Sequence, residues 1–183
     1  GGSQTTAVLK DGAWAINGSK IFITNSSSPI SEIIIVQAKT GQRGNGKSEL
    51  SCILVPNKTA GVTTKIMHGK MMWRSSNTGE LYFDNVKVNE KNLVGKRGEG
   101  FKQMLATLDR GRLAIAAMGL GGAQGAFELA LAYAKERKQF GKPIANFQAV
   151  AFKLADVAME IEAARSLLYK ACWLCEQKRP FTK

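Results

Sequence analysis

The sequence predicts an α+β fold. A small antiparallel β sandwich or barrel spans residues 1–94, and a long antiparallel two-helix hairpin, part of a four-helix bundle, spans 95–183. Three observations carry this. Short apolar runs punctuated by turn residues fill the first half. Near Gly95 the apolar spacing changes from a strand period to a helical one. Gly141-Lys142-Pro143 then interrupts the helical pattern once.

The elements follow in order. Thr5 to Leu9 and Ala13 to Ile16 flank Lys10-Asp11-Gly12, whose Asp-Gly pair is a hairpin signal. Asn17-Gly18 predicts a second turn before a strand from Lys20 to Thr24. Ile33-Ile34-Ile35-Val36 is a continuous apolar run, as a buried strand would have. Gly41 to Lys47 is a loop by composition, and Leu50 to Val55 returns as a strand ending at Pro56. Val62 to Met67, Glu80 to Phe83 and Val86 to Val88 complete the set, at a spacing typical of sandwiches and barrels.

The first helix opens at Gly98-Glu99-Gly100, with Phe101, Met104, Leu105 and Leu108 on one face, and continues through Ile115 to Tyr133. Its glycines lower helix propensity but permit close helix contact. Gly119 to Gln124 is no dinucleotide loop: no strand precedes it, and Gln124 stands where that fingerprint needs Gly or Ala. A second helix runs from about Phe147 to about Gln177, with Leu154, Val157, Ala158, Ile161, Ala164 and Leu168 at helical spacing. A hairpin alone cannot bury both apolar faces, so further helices or a partner chain are expected.

The chain has 183 residues, 44% hydrophobic and 22% charged, as an ordinary soluble protein would. It begins at Gly1 and ends straight after a helical pattern, so a fragment is expected. Neither a signal peptide nor an apolar run of membrane-spanning length is read in it. The net charge of +12 attracts polyanions, yet the cations are dispersed and no nucleic-acid motif is present. The three cysteines fit a reducing cytoplasm. Cys172-Trp173-Leu174-Cys175 has redox or zinc spacing but lies deep in a helix. With His68 as the sole histidine a zinc set cannot be completed, so buried helix cysteines and no metal site are expected.

Several motifs occur in a fixed order. They are Asn17-Gly18-Ser19-Lys20-Ile21-Phe22-Ile23-Thr24-Asn25, Asp84-Asn85-Val86-Lys87-Val88, Gly98-Glu99-Gly100-Phe101, Leu108-Asp109-Arg110-Gly111-Arg112 and Arg137-Lys138-Gln139-Phe140-Gly141-Lys142-Pro143-Ile144. Phe147-Gln148 and Leu154-Ala155-Asp156 follow. Together they resemble the acyl-CoA dehydrogenases, flavoenzymes of fatty acid metabolism that desaturate acyl-CoA thioesters. The resemblance covers essentially the whole chain as a middle β domain and the first part of a C-terminal helical domain. The tail looks most like the short-chain, butyryl-CoA type.

The resemblance implies roles. FAD would lie against Phe22, Ile23 and Thr24, with the Phe22 ring on the flavin and Thr24 hydrogen-bonding near flavin N5. Spacing alone reads Phe22 and Ile23 as strand core and Thr24 as a strand-end residue. Arg137 would meet the FAD pyrophosphate of a neighbouring subunit, where a guanidinium fork suits phosphate oxygens, and Gln148 would be a further FAD contact. Homo-oligomerisation, as a tetramer in the parent protein, then follows from cofactor binding. Asp109, Arg110, Gly111 and Arg112 would contact acyl-CoA, with Arg112 the polar anchor. An intrahelical Asp109–Arg112 pair is the other reading, and both can hold at once. Electrons would pass to an electron-transfer flavoprotein.

The family base is a glutamate, placed either on a late helix, beyond the equivalent of Lys183, or immediately before the arginine matching Arg112. The second place is Gly111 here. Glu128, Glu136, Glu160 and Glu162 read as solvated or helix-pairing charges. No catalytic residue is therefore assigned, and the isolated chain is expected to be inactive. The glycine-rich FAD loop is expected to be absent unless Gly1-Gly2-Ser3 is its end. A non-catalytic structural homologue is the alternative, and a basic nucleic-acid-binding domain a remote one.

Overall fold

A computed structural model describes residues 3–44 and 46–182. Gly1 and Gly2 of the suspected loop end lie outside the described residues, as does Asn45. The chain divides into two compact units, residues 1–105 and 106–183.

The first unit is built on β1 (Thr6–Lys10), β2 (Ala13–Thr24), β3 (Ile33–Gln42), β4 (Ser48–Pro56), β5 (Val62–Ile66), β6 (Thr78–Asn89) and β7 (Leu93–Val94). They form one sheet in the order β5-β6-β2-β1-β3-β4-β7. Pairing is antiparallel except between β1 and β3, where Thr6 lies beside Lys39 in parallel. The β1–β2 turn falls at Asp11-Gly12, both at positive φ.

The turn predicted at Asn17-Gly18 is instead a bulge inside β2. Ile16 pairs with Val86 and Gly18 with Phe83, so the strand continues past a local kink. Gly18 is at φ +129°, and a Cβ there would stand 2.8 Å from the Thr5 Cα. The Asn17 side chain accepts from the Asn85 amide across the kink at 2.8 Å. The two predicted strands Glu80–Phe83 and Val86–Val88 are likewise one strand, β6.

Trp14, Ile16, Val36, Ile53, Val55, Leu81 and Val86 are at most 1% exposed and belong to one cluster. That cluster draws on β6 and β4, near opposite ends of the strand order, so the sheet rolls around a shared core. Each such side chain contributes about 1.5–3 kcal/mol of burial.

A polar knot ties β3 and β4 to the segment entering the first helix. Thr40 Oγ1 donates to Glu49 at 2.8 Å and lies 2.7 Å from Ser51 Oγ. Ser51 Oγ accepts from the Gly98 amide at 2.9 Å, and Arg97 pairs with Glu49 at 2.7 Å. Gly100 is needed for close approach, because a Cβ there would lie 2.7 Å from the Ser51 backbone. The Arg97 hydrogen bond, then that from Thr40, holds the Glu49 carboxyl below its ordinary value of 4.5. A depressed carboxyl stabilises the fold above the unfolded value and loses that contribution as pH falls through the folded one. Glu49→Gln is therefore expected to flatten the acid limb of unfolding below about pH 4.5. Urea midpoints at pH 3 to 5 would show it; a variant with an unchanged acid limb would remove Glu49 from that role.

In the second unit, α1 (Gly100–Glu136) and α2 (Gln148–Glu176) form the expected antiparallel pair. The interruption between them is a tight ribbon of β8 (Lys138–Gln139) and β9 (Lys142–Pro143). Its two-residue turn puts Phe140 at φ 50° and Gly141 at φ 80°, the twist that such loops require. Arg165 of α2 links the helices, donating to Gln124 at 2.7 Å while pairing with Glu162 at 3.1 Å.

Ala134, Ile161 and Leu168 are buried, whereas Ile115, Leu129, Phe152, Met159, Leu167 and Trp173 are more than half exposed. The predicted shortfall in burial is thus present. Cys172 is exposed and Cys175 half-buried, against the expectation of buried helix cysteines, because α2 covers only one of its faces. Contrary to the sequence reading, α1 is long and apolar enough to cross a membrane by length and composition. Its many Ala residues raise the mean hydropathy without a continuous run of large apolar residues, and a bundle helix meets the same test.

Candidate functional site

In the first unit the motif from Lys20 to Asn25 ends β2, and the pairing with β6 shifts between Lys20 and Ile23. The bulge has a side-chain consequence. Ile23 turns inward against the core, while Phe22 is thrown outward and is 68% exposed. Phe22 sits at φ 61°, where a bulky residue is strained. Thr24 is exposed and pairs with Thr78.

Behind this edge the chain is clamped. The Asn25 amide donates to the Asn77 carbonyl at 2.9 Å, Ser26 Oγ donates to the Ile23 carbonyl at 3.0 Å, and Ser27 Oγ donates to Asn77 Oδ1 at 2.9 Å. The result is an aromatic face and a hydroxyl side by side on a fixed backbone, a surface suited to a planar heteroaromatic ring. Phe22, Ile23 and Thr24 thus fit a flavin in kind. Ile23 offers backbone rather than an exposed side chain.

The same unit holds a basic cavity of about 780 Å³, lined in part by the 41–47 loop, and the sequence did not single out its lining residues. Arg43, Lys47 and Lys102 line it with Ser48, Glu99 and Phe101. Its lining comes from two segments far apart in the chain, joined by the Arg43 side chain donating to the Gly98 carbonyl.

In the second unit, Asp109 and Arg112 form an ion pair of 2.9 Å, one helical turn apart. The Arg112 side chain is 70% exposed, so pairing leaves most of its donors facing solvent. Arg110 is exposed, and beside Gly111 a Cβ would meet nothing within 4 Å. Arg137 directly follows α1 and Gln148 opens α2; both are exposed at the same end of the hairpin. The Ile144 amide donates to the Arg137 carbonyl at 2.8 Å, which brings the chain back to that end. Lys142 lies 4.5 Å over the Phe147 ring, which meets Phe140 edge-on at 6.2 Å.

Arg112 and Arg137 stand about 37 Å apart along one helix axis at ~1.5 Å per residue. They cannot serve the same phosphate group. Glu128 accepts from Gln124 and Glu162 pairs with Arg165, so both carboxylates are engaged within the helices. Among the described residues no cluster of three metal-ligating side chains is found.

Comparison with known proteins completes the description. Residues 1–86 match the acyl-CoA dehydrogenase middle domain, and residues 98–183 match the acyl-CoA dehydrogenase C-terminal domain. The chain is 50% identical over 183 residues to a probable acyl-CoA dehydrogenase, YngJ, of Bacillus subtilis, covering all of this chain and 48% of that protein. It is 41% identical to CarC, a subunit of the caffeyl-CoA reductase–Etf complex of Acetobacterium woodii, covering all of this chain and 48% of CarC. Butyryl-CoA dehydrogenase of Megasphaera elsdenii superposes with a TM-score of 0.90 at 44% identity, over 99% of this chain and 47% of that one. The chain spans about half the length of the curated relatives it matches.

Proposed function

Because the chain belongs to the acyl-CoA dehydrogenase family, we propose that it supplies the middle β domain, residues 1–94, and part of the C-terminal helical domain, 95–183, of an FAD-dependent enzyme. That enzyme desaturates short-chain acyl-CoA thioesters between Cα and Cβ. Bound at this site, FAD supplies the hydride acceptor, flavin N5. Phe22 offers its ring face to the flavin, and Thr24 holds a hydroxyl toward N5. Arg112 anchors the thioester ligand with Asp109, Arg110 and Gly111 beside it. Arg137 and Gln148 meet the FAD of a second subunit, which the separation of Arg112 from Arg137 supports. The oligomer is then part of the site.

The names of its relatives support the acyl-CoA substrate and an electron-transfer flavoprotein as acceptor. The cytoplasm is the proposed location. The basic cavity of Arg43, Lys47 and Lys102 offers phosphate-binding charge for the CoA nucleotide.

The observation that carries the reading is Phe22. The bulge holds a large aromatic ring out from the sheet on a clamped backbone, and an exposed, fixed ring face is what stacking on a flavin needs. In the full-length protein, Phe22→Ala is expected to alter the visible flavin spectrum and weaken FAD retention about tenfold. A variant with an unchanged spectrum and full FAD occupancy would refute the placement.

A second expectation concerns the base. Gly111 brings no carboxylate next to Arg112, so the 183-residue chain alone, mixed with FAD and butyryl-CoA, is expected to give no dye reduction above the flavin blank. Turnover sensitive to Glu128→Gln, Glu136→Gln, Glu160→Gln or Glu162→Gln would identify a base that this reading lacks.

A further inference from the structure

The loop joining β5 to β6 has a character that the flavin and thioester sites do not use. Met71, Met72 and Trp73 are consecutive, and they are 89%, 65% and 58% exposed. Trp73 is held outward at φ 55°. The loop is nonetheless built. The Ser76 amide donates to the Trp73 carbonyl at 3.1 Å, and Arg74 Nε donates to the Lys70 carbonyl at 2.9 Å. Lys70 Nζ donates to Thr78 Oγ1 at 2.9 Å and also to the Ser76 carbonyl.

The same loop lines a cavity of about 520 Å³ with His68, Lys70, Arg74, Ser75, Ser76 and Asn77. The lining itself carries Lys70, Arg74 and His68 and no Asp or Glu; outside it, Lys58 pairs with Glu32 and Lys65 faces Glu80 across the strands.

We propose that this loop is a docking surface for an acidic segment of another protein. A carboxylate side chain of the partner enters the cavity toward Arg74 and His68, while apolar side chains beside it pack on Met71, Met72 and Trp73. Exposed Trp, Met and Arg together make the composition of an interface centre. A guanidinium with its Nε already committed presents its remaining N–H groups as a carboxylate fork. An acidic side chain of a partner meets no carboxylate in the cavity's lining. A lipid surface fits less well: the apolar contact is three residues in a bonded loop, not the face of an amphipathic helix, and the cationic groups line a concavity rather than a flat patch. The proposal does not depend on the flavin or thioester assignments.

The test uses the full-length protein and a synthetic peptide of alternating Glu/Asp and Leu/Phe. A charge-reversed Lys/Arg version and phosphatidylglycerol vesicles are run in parallel. Binding is read by calorimetry and by the emission shift of the exposed tryptophan. The acidic peptide is expected to bind with an affinity that falls with salt. Arg74→Glu should weaken it at least tenfold, Met72→Ser several-fold, and Trp73→Ala should remove the emission shift. Both Met72→Ser and Trp73→Ala alter exposed side chains, and circular dichroism confirms that the fold is kept. Equal binding of the charge-reversed peptide, binding of vesicles without peptide, or wild-type affinity in Arg74→Glu would each overturn the proposal.

Discussion

Trp14→Ala is expected to destabilise the β unit by about 4 kcal/mol, the usual range for deleting a fully buried tryptophan. Trp14 is 1% exposed and is among the largest fully buried side chains. It also does two things that a smaller apolar residue cannot. Its indole N–H donates to the Glu90 carbonyl at 3.3 Å, tying β2 to the turn after β6. Its ring lies 5.7 Å under the Arg97 guanidinium, the group that pairs with Glu49 in the knot below α1. Trp14→Phe keeps an aromatic ring in the core but loses the donor and leaves a small cavity, so it should cost about 1–3 kcal/mol. Urea unfolding monitored by circular dichroism gives both numbers. A loss below 1 kcal/mol for Trp14→Ala would mean that the sheet is not rolled around this side chain.

How much of this was legible in the sequence depended on which interactions are local. The Asp11-Gly12 turn and the helix end near Gly141 rest on the backbone freedom of a few adjacent residues, and the structure has both. Asn17-Gly18 carries an equally strong local signal, yet β2 runs through it. The reason is tertiary: Thr5 leaves no room for a side chain at Gly18, and β6 pairs with both halves of the strand. The outward turn of Phe22, read by spacing as core beside Ile23, was invisible for a related reason. Alternation read along Lys20 to Thr24 assumes an unbroken register, and the bulge shifts it by a residue.

Within the candidate sites, the family resemblance nominated Phe22, Arg112, Arg137 and Gln148, and spacing alone did not. The resemblance also set the 41–47 loop near the CoA nucleotide without a named contact, while Lys102 in its cavity and the cationic loop at Arg74 went unread. Neither site has a periodic signature: the first joins two segments far apart in the chain, and the second is shaped by the turns of one loop.

The largest functional effect is expected at Arg137. In the full-length protein Arg137→Ala should weaken FAD binding about tenfold to a hundredfold, the worth of a charge-assisted hydrogen-bonded contact. Arg137 closes the end of α1 with its side chain exposed, and its backbone, not its side chain, makes the local bonds to Tyr133 and Ile144. Removing the side chain therefore leaves the Lys138–Pro143 ribbon in place, and thermal stability of the apo-protein should be unchanged. That separates a ligand role from a structural one. Arg137→Lys keeps the charge but not the bidentate fork, so it should recover only part of the affinity. Because the proposed FAD belongs to a second subunit, subunit mass should couple to occupancy. Native mass spectrometry should show wild-type oligomers carrying FAD, and variant oligomers that lose flavin first and dissociate more readily. An Arg137→Ala protein that retains FAD at wild-type affinity would place the pyrophosphate elsewhere. An FAD-free variant with wild-type assembly would show that the oligomer forms without the shared cofactor.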